Sequence, residues 1–229
     1  MSAHARHPHF GRPLCRDDLL DGSARRRFLQ SELGIKTWSD AQLNRSVEST
    51  LRQVPPGDIW VFAYGSLIWN PLFPFADKRV ARVYGLHRSF CLWSRIGRGT
   101  PQQPGLVLGL DHGGQCAGLA YRIEAAHVRD ELRLLWRREM VTGAYCPTWV
   151  KARTSAGAVP AIAFVINHRS NAYAGRMATP DAARCIVGAT GLHGRCAEYL
   201  VNTLAGLREH GIEDSELGEV ERAVAALAH

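Results

Sequence analysis

A glutamate at the inner end of an apolar helical stripe is the residue in this chain best suited to moving protons. Val128, Leu132, Leu135 and Glu139 fall at i, i+4, i+7 and i+11 of residues 127–140, one face of an α-helix, and Trp136 widens that face. A carboxylate where another leucine is expected must find donors or titrate above its ordinary range. The plainer reading is a helix-end glutamate that pairs with Arg138 or reaches solvent. The second stretch with chemical potential is the turn Tyr64, Gly65, Ser66 and Leu67. It follows residues 59–64, an unbroken apolar and aromatic run between Pro55-Pro56-Gly57 and Gly65-Ser66, the pattern of a strand buried on both faces. Consecutive N–H groups leaving such a turn can point into one concavity and hold an anion or a carboxylate. The competing reading is a core strand that ends in an ordinary loop. Residues 98–105, R-G-T-P-Q-Q-P-G, form a polar loop that is either a surface excursion or a substrate-facing segment.

Positioning these residues takes a core, and the chain has the means for one. At 229 residues with 46% apolar content it suits a single good-sized domain with an extension. Residues 1–57 read as a disordered lead followed by a helical extension, and 58–229 as the main domain. In the extension, residues 16–33 are helical in habit, with Leu19, Leu20, Phe28 and Leu29 as contacts and Gly34 as the stop. Ser39, with Gln42 three residues on, opens a second helix whose stripe is Leu43, Val47, Leu51 and Val54. Nothing in these helices suggests chemistry.

In the main domain, residues 79–83 and 87–93 read as strands separated by a turn at Gly85. Residues 106–110 and 116–123 read as a pair joined by a hairpin turn at 112–114. Residues 148–152 and 159–166 read as the last strands, and 179–187, 195–210 and 215–227 as packing helices. The expected fold is α/β of the α+β kind: a mixed sheet or small barrel with flanking helices.

Composition narrows the function classes. No run approaches the roughly 18 apolar residues of a membrane span, and the N-terminus has no apolar segment of a secretory signal, so a cytoplasmic protein without membrane attachment is expected. The cysteines Cys15, Cys91, Cys116, Cys146, Cys185 and Cys196 are scattered, with no C-x-x-C spacing, which suits reduced thiols. His4, His7 and His9 cluster only in the lead, and no metal site is expected. The net charge of +7 is mostly arginine spread along the chain, which reads as a solvated basic surface rather than a nucleic-acid-binding face.

Three strings taken together resemble the ChaC family of γ-glutamylcyclotransferases: V-F-A-Y-G-S-L-I-W at 61–69, R-G-T-P-Q-Q-P-G at 98–105 and R-E-M-V-T-G-A-Y at 138–145. C-A-E-Y-L at 196–200 matches more loosely. The resemblance implies a cytosolic enzyme that cleaves glutathione to 5-oxoproline and cysteinylglycine without a cofactor or metal, on a small mixed β-barrel with helices around it. It also implies that Val61, Phe62, Ala63, Tyr64, Gly65, Ser66 and Leu67 hold the γ-glutamyl group and that Glu139 is the catalytic acid/base. Ala63 and Ala144 stand where the family usually has glycine. Each adds one methyl group.

In that chemistry the substrate's own α-amine attacks its γ-carbonyl, so no side-chain nucleophile is required. Tyr145 is a candidate for orienting Glu139 or the substrate, or equally a buried structural tyrosine. Arg98 or Arg95 can pair with the substrate's glycine carboxylate. The alternatives are a cyclotransferase for other γ-glutamyl amino acids or amines, and a non-catalytic protein that binds such ligands. The expected partner is the small-molecule substrate, and the expected state a monomer or weak dimer.

Overall fold

The computed structural model describes residues 13–30 and 37–227. The disordered lead expected at 1–12, the side-chain contact of Phe28 and the stop at Gly34 lie outside what is described. Residues 16–29 form two short helices, α1 (Arg16–Leu20) and α2 (Ser23–Leu29), where one had been expected. The contacts differ too: Leu20 and Leu29 are 54% and 58% exposed, and Leu19 with Ala24 takes the buried positions. The break at Asp21 and Gly22 rotates the second helix, so a single periodicity cannot run through both. Helix α3 (Asp40–Leu51) starts as its sequence dictates. Ser39 Oγ accepts from the Gln42 N–H at 3.2 Å, and Gln42 Oε1 accepts from the Ser39 N–H at 2.8 Å.

Five strands close into a barrel in the order β1-β3-β2-β4-β5, with β5 returning to β1. Strand β1 (Ile59–Ala63) is buried along its whole length, antiparallel to β3 and parallel to β5. Strands β2 (Asp77–Ser94) and β3 (Gly105–Ile123) form one long antiparallel hairpin, which corrects the reading of four strands. Gly85 is no turn, and residues 112–114 are no hairpin. Tyr84 pairs with Gln115 and Leu86 with His112, so Gly85 faces Gly113 and Gly114 as a bulge. All three glycines have positive φ (79°, 99° and 64°), which lets both strands bend together without parting. The true hairpin loop is residues 95–104.

Helix α4 (Val128–Glu139) crosses from the barrel to α3, followed by β4 (Tyr145–Thr154) and β5 (Gly157–Ile166). Its stripe is buried as the periodicity predicts: Leu132 and Trp136 are 0% exposed, and Trp136 meets the Phe164 ring edge-on at 5.2 Å. Burying each such side chain contributes about 1.5–3 kcal/mol. The Trp136 indole N–H donates to Ser46 Oγ at 3.0 Å, which ties α4 to α3. The remainder is α5 (Thr179–Gly188), the two-residue strands β6 (Thr190–Gly191) and β7 (Gly194–Arg195), α6 (Cys196–Glu209) and α7 (Ser215–Leu227). Among the described residues no helix is long and apolar enough to cross a membrane.

Candidate active site

A cavity of about 910 Å3 opens where four elements converge: the end of α4, the turn after β1, the β2–β3 hairpin loop and residues 167–172. Ser66, Arg95, Arg98, Glu139 and Tyr145 all line it. Val61, Phe62 and Ala63 sit in the buried strand β1. Tyr64, Gly65 and Leu67 lie buried behind Ser66 and do not reach the cavity surface. The segment 167–172 is held in place by β2: Trp93 N–H donates to Ala172 O at 2.8 Å, and Ala174 N–H to Cys91 O at 2.7 Å.

Glu139 is the last residue of α4, and its side chain is 14% exposed. Arg138 Nε meets Glu139 Oε1 at 2.9 Å. The same guanidinium donates to Ser66 Oγ at 2.9 Å and to Asn70 O. One buried arginine thus couples the catalytic-looking carboxylate to the turn after β1. Glu139 pairs with Arg138, as the plainer reading has it, and it also lines the cavity. Burial pushes its pKa up, and the Arg138 charge and hydrogen bond pull against that; the net direction is upward.

Three phenols surround this carboxylate. Tyr64 Oη donates to Phe164 O at 2.7 Å, Tyr145 Oη donates to Leu108 O at 3.2 Å, and Tyr199 Oη accepts from the Leu108 N–H at 3.4 Å. Burial pushes all three well up, and the nearby Glu139 charge adds to each, so they remain neutral hydroxyls at ordinary pH. Tyr199 was not singled out in the sequence. Its only signal was its place in the loosely matching C-A-E-Y-L string. It explains the glycine of the turn: a Cβ at Gly65 would sit 2.9 Å from Tyr199 Oη.

The turn itself is braced from within and from behind. Ile68 N–H donates to Gly65 O and Asn70 N–H to Ser66 O, both at 2.9 Å. Behind it, buried Arg88 donates from Nη1 to Tyr64 O at 2.9 Å and from Nε to Asp214 Oδ2 at 2.7 Å. Among the described residues the N–H groups of Gly65, Ser66 and Leu67 meet no acceptor, and of the three residues Ser66 is the one that lines the cavity.

Arg98 is 7% exposed. Its Nη1 donates to Arg195 O at 3.1 Å, and its nearest carboxylate, the mostly exposed Glu198, is 3.8 Å away. The guanidinium lies 5.9 Å from the centroids of both Trp69 and Tyr199. Burial lowers its pKa, against the opposing pull of Tyr199, Cys196 and Glu198. Arg95, half-buried, reaches Asn171 O at 3.4 Å. The six cysteines are free thiols, and among the described residues no group of three or more His, Cys, Asp or Glu gathers as a metal site.

Comparison with known proteins places this geometry in context. The family model described as ChaC-like protein matches residues 59–227. The glutathione-specific gamma-glutamylcyclotransferase of Escherichia coli (strain K12) is 37% identical over 209 residues, 90% of each chain. The Homo sapiens glutathione-specific gamma-glutamylcyclotransferase 1 is 31% identical over 179 residues, 75% of this chain and 81% of that protein. Among solved structures, a yeast gamma glutamyl cyclotransferase specific to glutathione matches with a TM-score of 0.68 at 21% identity, covering 75% of this chain and 100% of that one. That last likeness speaks for the fold alone.

Proposed function

This chain belongs to the ChaC-like family, and on that premise we propose that it is a γ-glutamylcyclotransferase cleaving glutathione to 5-oxoproline and cysteinylglycine. The observation that carries the reading is the Glu139–Arg138–Ser66 link, which sets a buried carboxylate of raised pKa beside a turn whose Ser66 lines the cavity.

The substrate's α-ammonium first gives a proton to Glu139. The freed amine attacks the γ-carbonyl carbon, forming the ring C–N bond and a tetrahedral oxyanion. Collapse breaks the bond to the cysteinyl nitrogen as Glu139 returns its proton there; the ring nitrogen, still one proton richer than the lactam, gives that proton through Glu139 to the departing amine, which leaves as an ammonium. One carboxylate suffices for these transfers when its pKa lies nearer neutrality than that of an exposed glutamate. Where the turn meets the cavity, the Ser66 N–H serves the oxyanion or the α-carboxylate, in a turn shaped by Tyr64, Gly65 and Leu67 and held rigid by Val61, Phe62 and Ala63 of the buried strand. Ser66 is not a nucleophile: its Oγ accepts from Arg138, and a tethered amine needs none. Tyr145 orients Glu139 or the substrate from the cavity wall. At the far end Arg98, with Arg95 beside it, takes the glycine carboxylate, which supplies the counter-charge that Glu198 only partly provides.

In this reading residues 58–229 are the catalytic domain and 1–57 its lead and helical extension, working in the cytoplasm as a monomer or weak dimer. The six free thiols suit a reducing compartment. Incubating the purified chain with glutathione and, separately, γ-glutamyl-alanine tests the reaction. Release of 5-oxoproline with glutathione strongly preferred is expected. Preference for the dipeptide moves the assignment to other γ-glutamyl compounds, and no product from either overturns it.

A further inference from the structure

Two residues of the N-terminal extension reach the same cavity. Leu14 and Trp38 line it, although both precede residues 59–227, the segment that the family model matches. Trp38 is fastened to the chain leaving α4: its backbone N–H donates to Val141 O at 2.8 Å. Its indole packs so close to Gly143 that a Cβ there would come within 2.8 Å of Nε1, and Gly143 itself has a φ of +66°. Leu14 is fastened to the other side. Its carbonyl accepts from Asn70 Nδ2 at 3.0 Å, and two residues on, Arg16 grips Glu131 of α4 through both carboxylate oxygens at 2.6 and 2.7 Å. Arg16 also donates to the carbonyl of Leu72, a non-glycine residue at φ +59°. The extension is therefore bolted to the two segments that carry Glu139 and Ser66, and what it adds to the cavity is apolar surface.

We propose that Leu14 and Trp38 form the wall that reads the substrate residue bearing the leaving nitrogen, favouring a compact uncharged side chain such as that of cysteine. The proposal rests on the cyclotransferase reading. If Glu139 returns a proton to the leaving nitrogen, the residue carrying that nitrogen lies beside the end of α4, where Trp38 covers residues 141–143. The γ-glutamyl portion is directed to the Ser66 turn and the terminal carboxylate to Arg98. An indole on the remaining side limits the size of the middle residue and packs against its apolar atoms.

The test is a substrate-size swap on the full chain, with 5-oxoproline release measured from glutathione and from γ-glutamylphenylalanine. For Trp38→Ala, kcat/KM on glutathione is expected to fall about tenfold or more through KM, while the bulky substrate improves relative to it. Trp38→Phe and Leu14→Ala, which keep most of the packing, shift the substrate ratio in the same direction by less. They decide the matter if Trp38→Ala loses its cooperative melt. Equal losses on both substrates, or an unchanged ratio in all three variants, overturn the wall and leave the extension as a scaffold, with the cyclotransferase reading intact. A wild-type chain inactive on both substrates overturns the cyclotransferase reading and the wall with it.

Discussion

Glu131 and Glu139 stand two turns apart on α4, both largely buried, both paired with arginine, and they are different devices. Glu131 is gripped on both oxygens by Arg16, in the fork geometry that gives each oxygen a charged donor. The bond raises the pKa of Arg16, as expected when a cation is held by its counter-ion. Glu139 meets Arg138 on Oε1, no hydrogen bond to its Oε2 is made among the described residues, and the residue lines the cavity. A carboxylate satisfied on both oxygens is a clamp. One satisfied on a single oxygen, in a buried site, has its pKa raised, as groups that move protons do.

The sharpest way to break this contrast is Glu139→Gln. Turnover measured as 5-oxoproline release is expected to drop by about 10²–10⁴-fold, with the fold kept. Its stability should also depart from wild type in a definite direction. Above the ordinary value of 4.5 the folded state still holds the Glu139 proton that the unfolded chain has released. That contribution is therefore present at low pH and lost as pH rises through the raised value. Thermal melts across this range should show the wild type losing stability relative to Glu139→Gln as pH rises. Activity retained in the variant moves proton transfer to another group.

The mirror experiment, Glu131→Gln, is expected to cost about 2 kcal/mol in denaturant unfolding. That is less than a fully buried pair would cost, because the Arg16 side chain is 36% exposed. The chemical step should stay within a few-fold of wild type in kcat. A loss of kcat as deep as that of Glu139→Gln would erase the distinction between the two glutamates.

The smallest effect is on the pH profile. Arg138→Gln removes the charge and hydrogen bond that hold Glu139 down, so the acid limb of kcat/KM moves to higher pH. A limb that stays in place assigns it to a group other than Glu139.

The parts legible in the sequence are those fixed over a few turns of chain. The β1 run, the Ser39–Gln42 cap and the α4 stripe ending in Glu139 all have the structure their local pattern dictates. The β2–β3 hairpin was not legible, because Gly85, Gly113 and Gly114 carry the same signature in a bulge as in a reversal. Only the partner strand distinguishes the two, and that is non-local. Tyr199, Arg88 and Trp38 escaped for the same reason. Each reaches the site across a long stretch of chain, through Leu108, Tyr64 and Val141 respectively, and none interrupts a local pattern as Glu139 does.

The ring of strands has a consequence for how this protein behaves in a crowd. Closing the sheet leaves it without free end strands, the rows of N–H and C=O groups through which copies most readily add strand to strand. The seal is uneven, however. The long β2–β3 hairpin meets the β4–β5 pair through two register pairs at Ala81↔Thr154 and Arg82↔Arg153 and one at Leu110↔Val165, and β1 meets β5 through two more, Trp60↔Ala161 and Val61↔Ile162. These short seams are where a sticky edge would first appear. One of them borders the buried strand that carries the Ser66 turn, so the seam that guards solubility also supports the cavity.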